Sequence, residues 1–396
     1  MIVSGHSGTA VRALAAAVFV LAARANAQSP APAPAAAPHL VTQTLAIQGI
    51  TRRIRVGDVW LHEDAAPATY SLRAPHLTGT VSTTPLRARF SNDTLTGVTP
   101  VSAQLSIGLH GLDTLRLYGQ TTSFPSTLEA RHADAIGGVG TSTIDAESFS
   151  LGTAANLGAR YALVLPAGDL LLTLRAGAEM EPQPAGTATV YWRGTTVLGG
   201  VSLSGDAGDA TLGAGLDISR SSADSLGGRN LFPGGGSFTV SALLSTPIGS
   251  DEQGDATVRA FFVRPFNDAR AAQRNRVAPV GQSAGVFGTL SWDAGSMVLA
   301  PAITLLREWS NEIVTSAGQS ARVASTGWTA APSVATILSP ASWLSITPEL
   351  GFVAGALSQS SSRSIPRRFG RSVTAVQTLS DPIRGWWAGV EMEVRY

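Results

Sequence analysis

The sequence contains no cysteine and no lysine. The first absence excludes thiol catalysis, cysteine metal sites, disulfides and an acyl anchor on cysteine. The second leaves arginine and histidine as the only basic residues, which reads as the base composition of a GC-rich genome. Charge itself is scarce, at 14% of the chain, against roughly 25% in a typical soluble domain. The net charge of +1 directs the chain neither to nucleic acid nor to an acidic surface. Beyond the N-terminal leader, no uninterrupted apolar run reaches the ~20 residues a spanning helix needs.

Catalytic patterns are also missing. The histidines are His6, His39, His62, His76, His110 and His132, with none later. A serine hydrolase needs a histidine held between a serine and an acid, and the region beyond 132 cannot supply it. There is no P-loop, nucleotide fingerprint or calcium loop of correct spacing. His62, Glu63 and Asp64 are adjacent, so on extended chain they point in different directions; they read as a solvated loop. The expectation is no enzyme, no cofactor and no metal.

What is present begins with a leader. Residues 1–27 carry Arg12, an apolar stretch from Ala13 to Ala23 and the small-x-small site Ala25-Asn26-Ala27, the pattern of a secretory signal peptide. Residues 28–38 are a Pro/Ala linker. Residues 39–84 read as a periplasmic extension, a plug or a poorly marked first strand.

From Pro85 to Tyr396 the period is two. In the last twelve residues Trp386, Ala388, Val390, Met392, Val394 and Tyr396 share one face. Trp387, Gly389, Glu391, Glu393 and Arg395 share the other. Leu170–Met180, Ala210–Ser219 and Val101–Leu109 alternate in the same way. Strands of ~10 residues with this dyad pattern mark a membrane barrel rather than a sandwich. Counted back from Tyr396, short and long connections alternate, with long ones at 122–154, 181–195, 220–236, 265–282, 308–325 and 355–384. The expected fold is all-β: an antiparallel transmembrane β-barrel over 85–396 with short periplasmic turns and long outer loops. The count is about 14 strands, and about 12 to 16 fit the weak first strands.

The terminal strand WWAGVEMEVRY, with the leader through Ala27, resembles bacterial outer-membrane β-barrel proteins. The resemblance implies that Val390, Met392, Val394 and Tyr396 form an assembly signal read by the barrel-assembly machinery. It also implies export to the bacterial outer membrane, with the lipids of that membrane as partners and no nucleic acid. It reaches no subfamily.

Register assigns the lumen. Arg87, Arg89, Arg116, Arg160, Arg175, Glu179, Asp217, Arg259, Glu349, Glu391, Glu393 and Arg395 are expected to point inward, because a charge on the lipid face costs ~2 to 4 kcal/mol at mid-depth. Small inward residues such as Gly158, Gly177, Gly213, Gly215 and Gly285 would leave the interior open. A barrel above ~8 strands has interior room to fill. The expected function is therefore passive passage of small solutes; the alternatives are a non-conducting structural or surface-binding barrel and, less in keeping with the histidines, a lipid-modifying enzyme. Arg363, Arg367, Arg368 and Arg371 read as a solvated loop that could attract anions.

Overall fold

The computed structural model describes residues 41–83, 85–90, 93–98, 101–109, 114–123, 154–165, 170–180, 191–192, 195–222, 224–226, 229–232, 235–249, 253–267, 280–316, 319–366 and 372–396. The expected leader and Pro/Ala linker lie outside them, as do His110, His132, Arg367, Arg368 and Arg371.

The chain forms β1 (Thr42–Val56), β2 (Val59–Ala65), β3 (Ala68–Ala74), β4 (Leu77–Thr83), β5 (Pro85–Phe90), β6 (Asp93–Val98), β7 (Val101–Leu109) and β8 (Thr114–Ser123). There follow β9 (Ala154–Leu165), β10 (Leu170–Met180), β11 (Tyr191–Trp192), β12 (Thr196–Ala207), β13 (Ala210–Ser221), β14 (Asp224–Leu226) and β15 (Arg229–Phe232). The last are β16 (Gly235–Ile248), β17 (Gly254–Asn267), β18 (Val280–Asp293), β19 (Met297–Ser316), β20 (Gln319–Ala341), β21 (Leu344–Pro366) and β22 (Ser372–Arg395).

Three wall strands are interrupted. β2 and β3 both pair with β1 in one register, and Gln48 N–H donates to Pro67 O at 2.8 Å across the break. β4 with β5, and β6 with β7, are likewise single strands broken in the middle. The wall then has 16 antiparallel strands. It closes where β22 pairs with β1 from Thr44↔Arg395 to Val56↔Ile383. Tyr396 extends the seam, its N–H donating to Gln43 O at 2.9 Å. Closure pairs the wall with itself along this seam, while beyond Val56 the far part of β22 pairs with β21 alone.

The strand count is thus higher than the expected 14, and the difference lies in 39–84. In that stretch, read from sequence as an extension, a plug or a poorly marked first strand, β1, β2 with β3, and β4 all pair into the wall. Its alternation was hard to read because here the inner face is apolar. Ile50, Ile54, Val56, Leu61 and Ala65 are buried inside, while Arg53, Arg55, His62 and Asp64 stand on the outer face. The solvated-loop reading of His62-Glu63-Asp64 is corrected too. They lie on β2 with Glu63 inward and its two neighbours outward, as strand geometry requires.

Connections at one rim are short, as at 208–209, where Gly208 takes φ 65°. That value suits a two-residue hairpin turn, whose twist matches the strands. The expected outer loops 308–325 and 355–384 are instead largely strand. β19, β20, β21 and β22 are 20, 23, 23 and 24 residues long. A hydrogen-bond ladder needs a paired backbone, not an amphipathic one, so these hairpins continue where the alternation stops. At the same rim β11, β14 and β15 form a small separate sheet. Tyr191–Trp192 and Arg229–Phe232, read from sequence as loop, are therefore strands.

Elsewhere the two faces follow the expected register. Val390, Met392, Leu216, Ile218, Leu299 and Ile303 are exposed on the outside.

Candidate functional site

Three inward arginines stand abreast. Arg116 on β8 faces Arg160 on β9, and Arg160 faces Arg175 on β10. All three are exposed to the interior. Like charges directly opposite on a sheet repel, so this row is tolerable only where water, anions or a carboxylate offset it. One carboxylate is present. Arg175 donates from Nε to Asp217 Oδ1 at 2.5 Å and from a terminal nitrogen to Asp217 Oδ2. This fork holds two parallel charge-assisted bonds.

Asp217 is on β13, two strands from Arg175, and the strand between contributes Gly200. A β-carbon at 200 would collide with Asp217 Oδ1 and stand 2.7 Å from Arg175 Nε. The ion pair therefore occupies space that only glycine leaves. Arg116 and Arg160 form no ion pair among the described residues.

Glycines elsewhere on the inner face do the same. Tyr118, on the row next to the arginines, lies over Gly158 and Gly177. Phe261 lies over Gly285, and Trp387 over Gly351. The expectation that Gly158, Gly177 and Gly285 keep the lumen open is corrected: each receives a large side chain. Gly213 and Gly215 border Leu243 and Ser241.

The carboxylates gather on β21 and β22. Glu349 accepts a hydrogen bond from Trp387 Nε1 at 3.3 Å. Glu391 shares its inward register, and Glu393 accepts from Arg395 Nε at 2.5 Å nearer the rim. β10 and β21 are eight places apart in the closed ring, so the arginine row and these carboxylates face each other. Depth matches as well: Arg160, Arg175, Glu349 and Glu391 each lie about four or five residues, ~15 Å of strand, from a strand end at the short-turn rim.

Arg259 is inward beside Leu243 and Phe287. Glu179 shares the inward register with Asn156 and Thr196, but its side chain lies outside the described residues. Arg87 and Arg89 overturn the expectation. They pair with Asp64 and His62, and paired residues share a face, so both point outward. Their strand begins at Leu77 rather than Pro85 and takes its face from β2.

Sequence reasoning missed the pair Arg52–Glu63, 3.6 Å apart with side chains 9% and 0% exposed. It lies inside the wall of β1 and β2 among Ile50, Ile54, Leu61 and Ile383. The interior thus has a packed patch where β1 and β2 meet the Ile383 end of β22 and a charged, accessible side on β8 to β10. Opposite charges on facing positions of one hairpin, Arg52 on β1 and Glu63 on β2, were the available signal. It was hidden because 39–84 was not assigned to the wall. Among the described residues no group of three or more His, Cys, Asp or Glu could hold a metal ion.

No protein-family model matches the chain, and no curated protein matches it. Among solved structures it is similar to OprB of Pseudomonas putida at high pH, with 12% identity, 91% of this chain and 94% of that chain covered and a TM-score of 0.43. It is similar to OmpT of Vibrio cholerae expressed in the outer membrane, with 10% identity, 90% and 98% covered and a TM-score of 0.39. It is also similar to OprD of Pseudomonas aeruginosa, with 9% identity, 91% and 97% covered and a TM-score of 0.39. These likenesses are distant; the strand pairing of this chain itself establishes a closed antiparallel β-barrel.

Proposed function

We propose that this protein spans the bacterial outer membrane and passes small hydrophilic solutes by diffusion, with a preference for anions. The observation that carries the reading is the accessible row Arg116–Arg160–Arg175 facing carboxylates across a closed barrel with an apolar exterior. A closed wall leaves no backbone group unpaired in lipid. The exposed apolar residues outside suit hydrocarbon and would be costly in water. Inside, two of the three arginines have no carboxylate partner among the described residues, so a passing anion lowers their mutual repulsion.

The remaining expectations fit the same reading. Residues 1–27 direct export, and the outward Val390, Met392, Val394 and Tyr396 serve recognition by the assembly machinery. Planar-bilayer recording tests the function. The purified barrel should conduct and give an anion-selective reversal potential in a salt gradient. Barrels that fold and insert but never conduct overturn it. One observation favours a second reading, a non-conducting barrel: Leu61, Glu63 and Ile383 point inward yet are 1%, 0% and 1% exposed. Silent insertion is what that reading expects.

A further inference from the structure

The outer face carries its own arginines, several of them at one height. On β13 the outward residues run Leu212, Leu216 and Ile218 and then reach Arg220. On β17 Val258 and Phe262 precede Arg264; on β19 Ile303 and Leu305 precede Arg307. Each arginine stands about ten residues from the short-turn rim, which at the usual strand tilt is ~25 Å of apolar wall. That is the height of a barrel's hydrocarbon-facing band. Arginine so placed lies at its far edge, where lipid headgroups begin.

At this height the arginines crowd together on one sector. Arg384 on β22 is directly opposite Arg55 on β1, and Arg53 stands beside Trp386 with its Cζ 5.8 Å from the ring centroid. Arg87 and Arg89 follow on β5. Between them is a groove of about 590 Å³ lined by Arg53, Arg55, Trp60, His62, Arg384 and Trp386. Three carboxylates are near, one of them Asp381, which borders Gly57 in the turn after Arg55. Asp58 lies 3.4 Å from Arg55 at the tip of a turn, both well exposed. Asp64 accepts from Thr51 Oγ1 at 2.9 Å and lies 3.4 Å from His62. Arg87, Arg89 and Arg384 form no ion pair among the described residues. The sector therefore keeps excess positive charge at the edge of an apolar wall.

We propose that this groove docks the phosphate-bearing headgroup of a lipid in the leaflet at the long-loop rim, a reading that rests on the membrane placement above. The charges are complementary: Arg53, Arg55 and Arg384 all line this groove, Arg53 over the Trp386 ring and Arg55 donating to Gly57 O and Asp58, and phosphate oxygens accept forked hydrogen bonds from guanidinium groups. The repulsion between Arg55 and Arg384 falls when an anion bridges them. Trp386 and Trp60 offer flat amphipathic surfaces at the headgroup level, where tryptophan is favoured. Below them the acyl chains meet the apolar outer residues of β22, Val390 and Met392. A free anion gains nothing from that lower contact.

Native mass spectrometry of the folded barrel in detergent tests this with a bis-phosphorylated glycolipid, the same lipid after phosphate removal, and inorganic phosphate. The wild type should retain the phosphorylated lipid. R53Q/R55Q/R384Q should bind it about a hundredfold more weakly, at about fivefold per arginine near a membrane surface. R220Q/R264Q/R307Q, outside the groove, should retain it. Equal retention by the groove variant, equal retention of the dephosphorylated lipid, or full displacement by inorganic phosphate at millimolar concentration overturns the proposal. If the triple variant fails to fold, R384Q alone reads the same effect at about fivefold. Vesicle flotation of the wild type scores membrane insertion separately, so loss of lipid retention with insertion intact refutes only the groove.

Discussion

Arg175 and Asp217 meet across Gly200, on three consecutive strands of the inner wall. The pair takes one arginine out of a row of three and leaves Arg116 and Arg160 with no ion pair among the described residues. It also ties β10 to β13 over the intervening strand.

Adding a methyl group at Gly200 should break this arrangement. G200A should destabilise the barrel by about 1–3 kcal/mol, the usual cost of overpacking. It should also free Arg175 and increase anion preference. The midpoint of the heat-modifiable gel shift checks the first effect, and the reversal potential checks the second.

Neutralising Arg160 removes the middle of the row. R160Q should leave stability unchanged or slightly higher, because two like-charge contacts disappear, and should shift the reversal potential towards cations. Unaltered selectivity in a conducting R160Q barrel would show that solutes do not pass along this row.

Tyr118 and Gly158 should behave as one unit. G158V collides with the Tyr118 ring and should cost about 1–3 kcal/mol. In Y118A the ring clash is gone and only the contact with Ala176 O, 2.7 Å from a β-carbon at 158, remains, so the same change should cost less, giving a coupling energy of about 0.5–3 kcal/mol in a double-mutant cycle. Additive effects on denaturant midpoints would place the ring elsewhere.

Glu63 is fully buried opposite Arg52. E63A leaves an arginine in an apolar interior and should cost about 3–5 kcal/mol, whereas R52L/E63L should recover most of the loss. Refolding yields and unfolding midpoints of the two variants distinguish a buried ion pair from ordinary packing.

Much of the barrel was legible before any coordinates. From β7 onward one face is largely apolar, and Arg116, Arg160, Arg175, Asp217, Glu349 and Glu391 share the register of the opposite face, the alternation on which the sequence expectation rests. Arg87 and Arg89 went to the wrong face for a local reason. Alternation says that a strand has two faces but not which one is inner, and around β1 to β5 the usual chemistry is inverted. Ile54 and Leu61 fill the interior while Arg53 and Arg55 stand at the outer edge of the apolar band.

The amino-acid sequence alone determined the strand period, the even-numbered closure and the outward aromatic end at Tyr396. These follow from local backbone geometry and the separation of apolar from polar side chains. The tertiary structure decided which residues meet. Arg116, Arg160 and Arg175 are far apart along the chain and become neighbours only through strand register. Gly200, Gly158 and Gly351 acquire their purpose only when a side chain from another strand lies over them. Cross-strand pairing is a long-range relation, and no window of sequence contains both partners.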